Sequence, residues 1–162
     1  MEINYLQKVK IFAELTTEEL TLISHSLKSV SYKANEVIFQ EDSAGNELFL
    51  LFQGKVCISK KMALVDQDNN INKTLTTLID KDYPFFGEVG LLGKQLRTAT
   101  VTAITDCKLY SIDHDRFMKI IQQNPHIGVV VLLEISTKLA MILEKADLNI
   151  LKLTTALIYA LN

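Results

Sequence analysis

The sequence predicts a mainly β protein. The expected form is an antiparallel β-roll, of the double-stranded β-helix or jelly-roll-like kind, with N-terminal helices and a long C-terminal helix. Three observations carry that expectation. From Leu27 to Asp113 the chain breaks into short runs rich in Val, Ile, Thr, Phe and Tyr. Turn residues separate the runs, and most have no helical stretch between them, the mark of an antiparallel sandwich or barrel. On both sides of this region the apolar residues recur at helical spacing.

Residues 1 to about 25 read as helical. Leu6, Val9 and Ile11-Phe12 come first. Thr16 or Thr17 can then cap a helix carrying Leu20, Leu22, Ile23 and Leu27. The expected strands are Val30–Tyr32, Glu36–Gln40, Glu47–Gln53, Lys55–Lys60, Lys73–Ile79, Ala99–Thr105 and Cys107–Ile112. Alternation is clearest after Arg97, where threonines take one face and Ala99, Val101 and Ala103 the other. Turn chemistry at Asp42-Ser43-Ala44-Gly45-Asn46, Gln53-Gly54-Lys55 and Asp66-Gln67-Asp68-Asn69-Asn70 separates the runs.

Asp113 is the expected N-cap of a short helix carrying Phe117, Ile120 and Ile121, which Asn124-Pro125 ends. A longer helix follows from about His126. Its Leu132, Ile135, Leu139, Ile142 and Ala146 alternate three- and four-residue spacings, close to a heptad seam. Glu134 and Lys138, one turn apart on the other side, are oriented for a weak surface pair. Asp147 is a candidate cap for a last helix, Leu148 to Leu161. The expected organisation is therefore residues 1–125 (N-terminal helices, roll and short helix) and 126–162 (long helix and terminal helix).

Composition narrows the function. The 162 residues are 48% apolar and 22% charged, an ordinary globular balance, and the net charge of −2 excludes a nucleic-acid surface. The first residues lack the basic and apolar regions of a signal peptide. The apolar run Gly128–Leu133 is too short to span a membrane. A cytoplasmic protein without membrane contact is the expectation. Cys57 and Cys107 exclude a disulfide framework and read as buried, inert thiols. His25, His114 and His126 have no metal-ligand spacing, which argues against a metal site and a cupin-type metalloenzyme. The acidic loop at Asp66 begins like a calcium loop but has Ile71 and Thr77 where glycine and glutamate belong, so it reads as a solvated hairpin. No nucleophile–base pair or carboxylate dyad stands out, so no catalytic residue and no enzymatic activity is expected.

The stretch Phe85-Phe86-Gly87-Glu88-Val89-Gly90-Leu91-Leu92-Gly93-Lys94-Gln95-Leu96-Arg97-Thr98-Ala99-Thr100-Val101 carries the chemistry. Three of the chain's six glycines fall within seven of its residues, and Gly87 and Gly90 let backbone approach a ligand closely. The amides from Glu88 to Leu92 are expected to form one helical turn, whose free N–H groups suit an anion. Only two arginines occur, Arg97 and Arg116. Arg97 opens the alternating strand, where a guanidinium suits a phosphate through two parallel bonds. Glu88 would repel that phosphate and suits a ribose hydroxyl instead.

This segment resembles the phosphate-binding cassette of cyclic nucleotide-binding domains, the family of cAMP-dependent kinase regulatory subunits, cyclic-nucleotide-gated channels and catabolite activator proteins. The resemblance extends to Ile38-Phe39-Gln40-Glu41-Asp42-Ser43-Ala44-Gly45-Asn46-Glu47-Leu48-Phe49 and to Gly54. It departs at Asp42, which replaces a glycine, and at Leu96, where a proline often stands. The resemblance implies a ligand, cAMP or cGMP, held by Phe86, Gly87, Glu88, Val89, Arg97, Thr98 and Ala99. Glu88 would bind the ribose 2′-hydroxyl and Arg97 the phosphate. Thr98 leaves both nucleotides open. Met141, Ile142 and Lys145 are candidates for a lid over the base. The family further implies a non-catalytic sensor whose long helix moves on binding, and a homodimer through that helix. Leu153–Leu161 resembles the first helix of a following domain, so a downstream protein or an output domain outside this sequence is expected. The alternative is a β-roll that binds no ligand and serves as a structural or protein-interaction module.

Overall fold

A computed structural model describes residues 2–61, 72–93 and 96–161. The acidic loop at Asp66, with Lys94 and Gln95 of the cassette, lies outside the described residues. The chain opens with α1 (Ile3–Leu6), a 3-10 turn (Lys10–Phe12) and α2 (Thr17–Ser26). Thr16 caps α2 in a reciprocal box. Its hydroxyl accepts from the Glu19 amide at 3.3 Å, while the Thr16 amide donates to the Glu19 carboxylate at 2.9 Å.

Eight strands follow among the described residues: β1 (Lys28–Tyr32), β2 (Val37–Phe39), β3 (Glu47–Gln53), β4 (Lys55–Lys61), β5 (Asn72–Ile79), β6 (Phe85–Phe86), β7 (Thr100–Ala103) and β8 (Cys107–Asp113). They form two antiparallel four-stranded sheets, ordered β1-β8-β3-β6 and β2-β7-β4-β5. Between β6 and β7 lies α3 (Glu88–Leu91); after β8 come α4 (His114–Gln123) and α5 (Pro125–Leu161). This is the β-roll with flanking helices that the strand pattern predicts.

The strand β3 shows how the layers meet. Successive side chains of a strand point to opposite faces. Phe49 and Leu51 therefore enter the core between the sheets, with Val56, Phe86, Val101, Ala103 and Leu109. Leu48 and Leu50 face the helices, where Leu6, Ile11, Phe12, Leu20, Ile23, Phe117, Ile127, Val131 and Ile135 complete a second core. A strand buried on both faces reads as the unbroken run Leu48-Phe49-Leu50-Leu51.

Several expectations need correction. The two-residue β6 is not visible as a strand in the sequence; its pairing with Phe49 and Leu50 of β3 makes it one. The alternating strand is shorter than expected, because the Arg97 amide donates to the Ser43 carbonyl and the Asp42 amide to the Arg97 carbonyl. The chain thus pairs with the Asp42–Ala44 turn before it enters the sheet. Asp42 itself takes a left-handed conformation (φ 63°) where a glycine was missed. Cys57 is half-buried rather than buried, while Cys107 is buried and unpaired. The C-terminal region is one continuous helix, not two. Asp147 sits mid-helix between Ala146 and Leu148, with no Gly or Pro near it to break the ladder. Glu134 and Lys138 do not pair with each other: Glu134 meets Lys10 at 3.2 Å, and Lys138 meets Glu88 at 3.1 Å. By length and composition α5 is also apolar enough to cross a membrane. Its first turns nevertheless bury Ile127, Val131 and Ile135 in the helix-side core.

Candidate functional site

The cassette turn is built from the two cores. Phe85 and Phe86 of β6 are buried and end at Gly87, whose left-handed backbone (φ 76°) reverses the chain into α3. Among the described residues, Gly90 donates to the Gly87 carbonyl at 3.0 Å and Leu92 to Val89 at 3.2 Å. The first N–H groups of such a turn have no acceptor within it. His114, at the start of α4, closes the other end: its Nδ1–H donates to the Leu91 carbonyl at 2.7 Å.

Arg97 occupies the centre. It is only 5% exposed. Its Nη1 donates to the Glu47 carbonyl at 2.8 Å and to the Gly87 carbonyl at 3.3 Å. The guanidinium carbon lies 4.1 Å from the Phe39 ring centroid and 5.8 Å from that of Phe49. Phe39, Phe49 and Phe86 form one aromatic floor, Phe49 and Phe86 stacking at 5.5 Å. Burial pushes the Arg97 pKa down, with Glu47 and Glu88 pulling the other way; a guanidinium remains charged regardless. Its Nε is buried and has no hydrogen-bond partner among the described residues. A buried N–H of that kind costs roughly 1–3 kcal/mol until an acceptor reaches it.

Three glycines make the seat. A Cβ at Gly45 would stand 2.7 Å from Arg97 Nη2, and one at Gly90 2.7 Å from Nη1. At Gly87 it would meet Nη1 and the Glu47 carbonyl, each at 2.9 Å. Two surface clefts of about 360 and 320 Å³ lie elsewhere on the roll, beside Tyr5 and Tyr83 and beside Tyr32 and Asp106.

Glu88, 7% exposed, does not join Arg97 in a hydrogen bond. Its Oε2 accepts from Lys138 Nζ of α5 at 3.1 Å. The same ammonium donates to the Phe85 carbonyl at 2.9 Å and lies 4.2 Å from the Phe85 ring centroid.

Of the residues the sequence singles out, Phe86, Gly87, Glu88, Val89 and Arg97 converge here; Ala99 is buried beside them in sequence and Thr98 is exposed. Met141, Ile142 and Lys145 are exposed on α5, three, four and seven residues beyond Lys138. Sequence reading missed Lys138, Glu47, Phe39, His114 and the role of Gly45. Phe39 and Gly45 were visible as motif letters, but only the fold brings their loop against Arg97. Glu47 acts through its carbonyl, which no side-chain pattern reveals. Among the described residues no group of three His, Cys, Asp or Glu side chains can hold a metal ion.

The roll thus closes a glycine-lined turn around one buried arginine. The pattern of the cyclic nucleotide-binding domain matches residues 29–124, and the chain belongs to that family. It is 29% identical over 116 residues to a cAMP-dependent protein kinase regulatory subunit of Dictyostelium discoideum, covering 72% of this chain and 34% of the relative. It is 30% identical over 120 residues to a cGMP-dependent protein kinase isozyme of Drosophila melanogaster, covering 74% and 15%. The chain thus spans about a third or less of these relatives. The catabolite activator protein of Thermus thermophilus superposes with a TM-score of 0.76 at 26% identity, covering 90% of this chain and 63% of that one.

Proposed function

We propose that this chain is a non-catalytic sensor of a cyclic nucleoside monophosphate, cAMP or cGMP. The carrying observation is Arg97, a buried guanidinium seated against three glycines with its Nε unpartnered. A phosphate oxygen supplies the missing acceptor, and the two-pronged geometry suits a cyclic phosphodiester. The amides of the α3 turn add neutral donors, and Thr98 and Ala99 add polar contacts. Glu88 accepts from the ribose 2′-hydroxyl. The base points toward α5, where Met141, Ile142 and Lys145 form its cover. The family relation supports the same ligand class, since relatives named for cAMP and for cGMP both match.

Binding at the cassette shifts the position of α5, which is the output. Only a difference in affinity between two helix arrangements can drive such a shift. Downstream lies a protein or domain that α5 contacts. Two copies associate through the exposed part of α5, where Leu143, Ala146, Ile150, Leu153 and Leu157 repeat at three- and four-residue spacings. The module works in the cytoplasm.

A second reading, a roll that binds no nucleotide, is favoured by one observation: Arg97 already has two carbonyl acceptors and the Phe39 ring. Calorimetric titration separates the two. Heat on adding cAMP or cGMP is expected; no binding of either at millimolar concentration sinks the sensor. Arg97→Ala is expected to weaken binding about ten-fold or more. Gly45→Ala is expected to weaken it comparably while leaving the fold intact, because its methyl meets the Arg97 side chain rather than backbone. Unchanged affinity in either variant would refute the cassette assignment.

A further inference from the structure

We propose that Lys138 is a positioning residue for ribose recognition, and that through it the docking of α5 and the filling of the cassette form one linked equilibrium. This rests on the reading of the cassette as a cyclic nucleotide site. Lys138 is the residue of α5 whose side chain hydrogen-bonds the cassette among the described contacts, and it does so at two points. Its ammonium holds Glu88 Oε2 at 3.1 Å and the Phe85 carbonyl at 2.9 Å, over the face of the Phe85 ring. Phe85 belongs to β6, which leads directly into Gly87, and Glu88 is the first residue of α3. One cation therefore ties down both the strand that enters the turn and the carboxylate that the turn presents.

Among the described residues no hydrogen bond reaches Glu88 Oε1. The carboxylate can thus hold Lys138 through one oxygen and accept a ribose hydroxyl through the other. The pairing is cooperative rather than competitive: Lys138 keeps Glu88 oriented and clear of Arg97 before ligand arrives. A ribose hydroxyl then finds an acceptor that needs no reorganisation. Without Lys138, a 7%-exposed carboxylate has lost its cation and has no fixed rotamer. Coupling of this kind is reciprocal. If docked α5 readies Glu88 for ligand, ligand must favour docked α5 by the same factor. Burial strengthens the joint, since the Lys138 and Glu88 side chains are only 32% and 9% exposed, unlike the Lys10–Glu134 pair, whose lysine is 66% exposed.

The test uses the full chain in two arms. In the first, hydrogen exchange of α5 is followed without ligand in the wild type, Lys138→Met, Glu88→Gln and the double variant. Amides flanking Lys138 are expected to exchange about ten-fold faster in each single variant, the size of one lost charged hydrogen bond. The double variant should be no faster than Lys138→Met alone. Effects that simply multiply, or no change in either single variant, overturn the joint. In the second arm, calorimetry compares the tighter of cAMP and cGMP with its 2′-deoxy analogue. The wild type is expected to prefer the ribose form about ten-fold or more, Lys138→Met about two-fold or less, and Lys138→Arg close to wild type. Full 2′-hydroxyl discrimination in Lys138→Met overturns the positioning role while the sensor reading stands. A wild type that binds neither nucleotide overturns both.

Discussion

In the first turns of α5, Ile127, Val131 and Ile135 are exposed by 1% or less; from Ala140 to Leu161 every residue is exposed, including Leu151 at 64% and Leu157 at 60%. The second half is no less apolar than the first. What differs is the surface opposite: the first half lies across α4 and the Lys10–Phe12 turn, with Phe12, Phe117 and Leu20 in one cluster. The second half projects past the roll. Apolar sequence alone does not place a residue in the core; a facing surface does. The stripe Leu132, Ile135, Leu139, Ile142 and Ala146 crosses this border, so one heptad-like pattern serves two purposes. Ile135 is a core residue and Ile142, 51% exposed, is not.

Substitutions in the two halves should therefore diverge. Ile135→Ala is expected to cost the most, about 2–4 kcal/mol in denaturant unfolding, since it empties a closed core site. A cost below about 1 kcal/mol would mean that the first half is loosely docked. Next comes the cap of α4, the helix against which α5 leans. The Asp113 side chain accepts from the Arg116 amide at 2.9 Å, and Asp113→Ala should lose about 1 kcal/mol. In the second half, Leu151→Ala is expected to stay within about 0.5 kcal/mol at concentrations where the chain is monomeric. Ile150→Lys with Leu157→Lys should leave stability alone and abolish self-association in sedimentation; association that persists would place the dimer contact elsewhere.

The smallest effect is that of pH. Glu19 holds His126, the second residue of α5, at 2.7 Å. Partial burial pushes the Glu19 carboxyl up, but the Thr16 amide and His126 outweigh it and leave its pKa lowered. A carboxylate with a lowered folded pKa stabilises above its unfolded value of about 4.3, and that contribution is lost as pH falls through the lower folded value. Stability should therefore decline modestly below about pH 4. Asp113, whose pKa is also lowered, declines in the same direction. Glu19→Gln should flatten part of this acid limb, while a limb of unchanged slope would show that the pair contributes nothing to docking α5.

Much of the roll was legible because its strands announce themselves locally. Thr100 to Ala103 alternate, Leu48 to Leu51 run unbroken, and Gly54 and Asp42 mark turns. The ends of the cassette were legible for another reason: glycine and arginine spacing within one segment is a local pattern. Long-range contacts were not. Lys138 is 50 residues from Glu88, and its helical neighbours Glu134 and Ile135 made a surface pair the simpler expectation. Two-residue β6 is a strand only because β3 lies beside it. The supposed break at Asp147 came from reading a capping residue as a cap; within a helix that is already propagating, one Asp is a small cost.

At most exposed loop positions an added methyl group is invisible to function. At position 45 the three nearest atoms would all belong to the Arg97 guanidinium, so the arginine could persist in the sequence and still be evicted from its place, whereas at position 90 the methyl would meet the Gly45 carbonyl as closely as Nη1. In this chain the absence of a side chain at position 45 is as much a part of the seat as the charged group it faces.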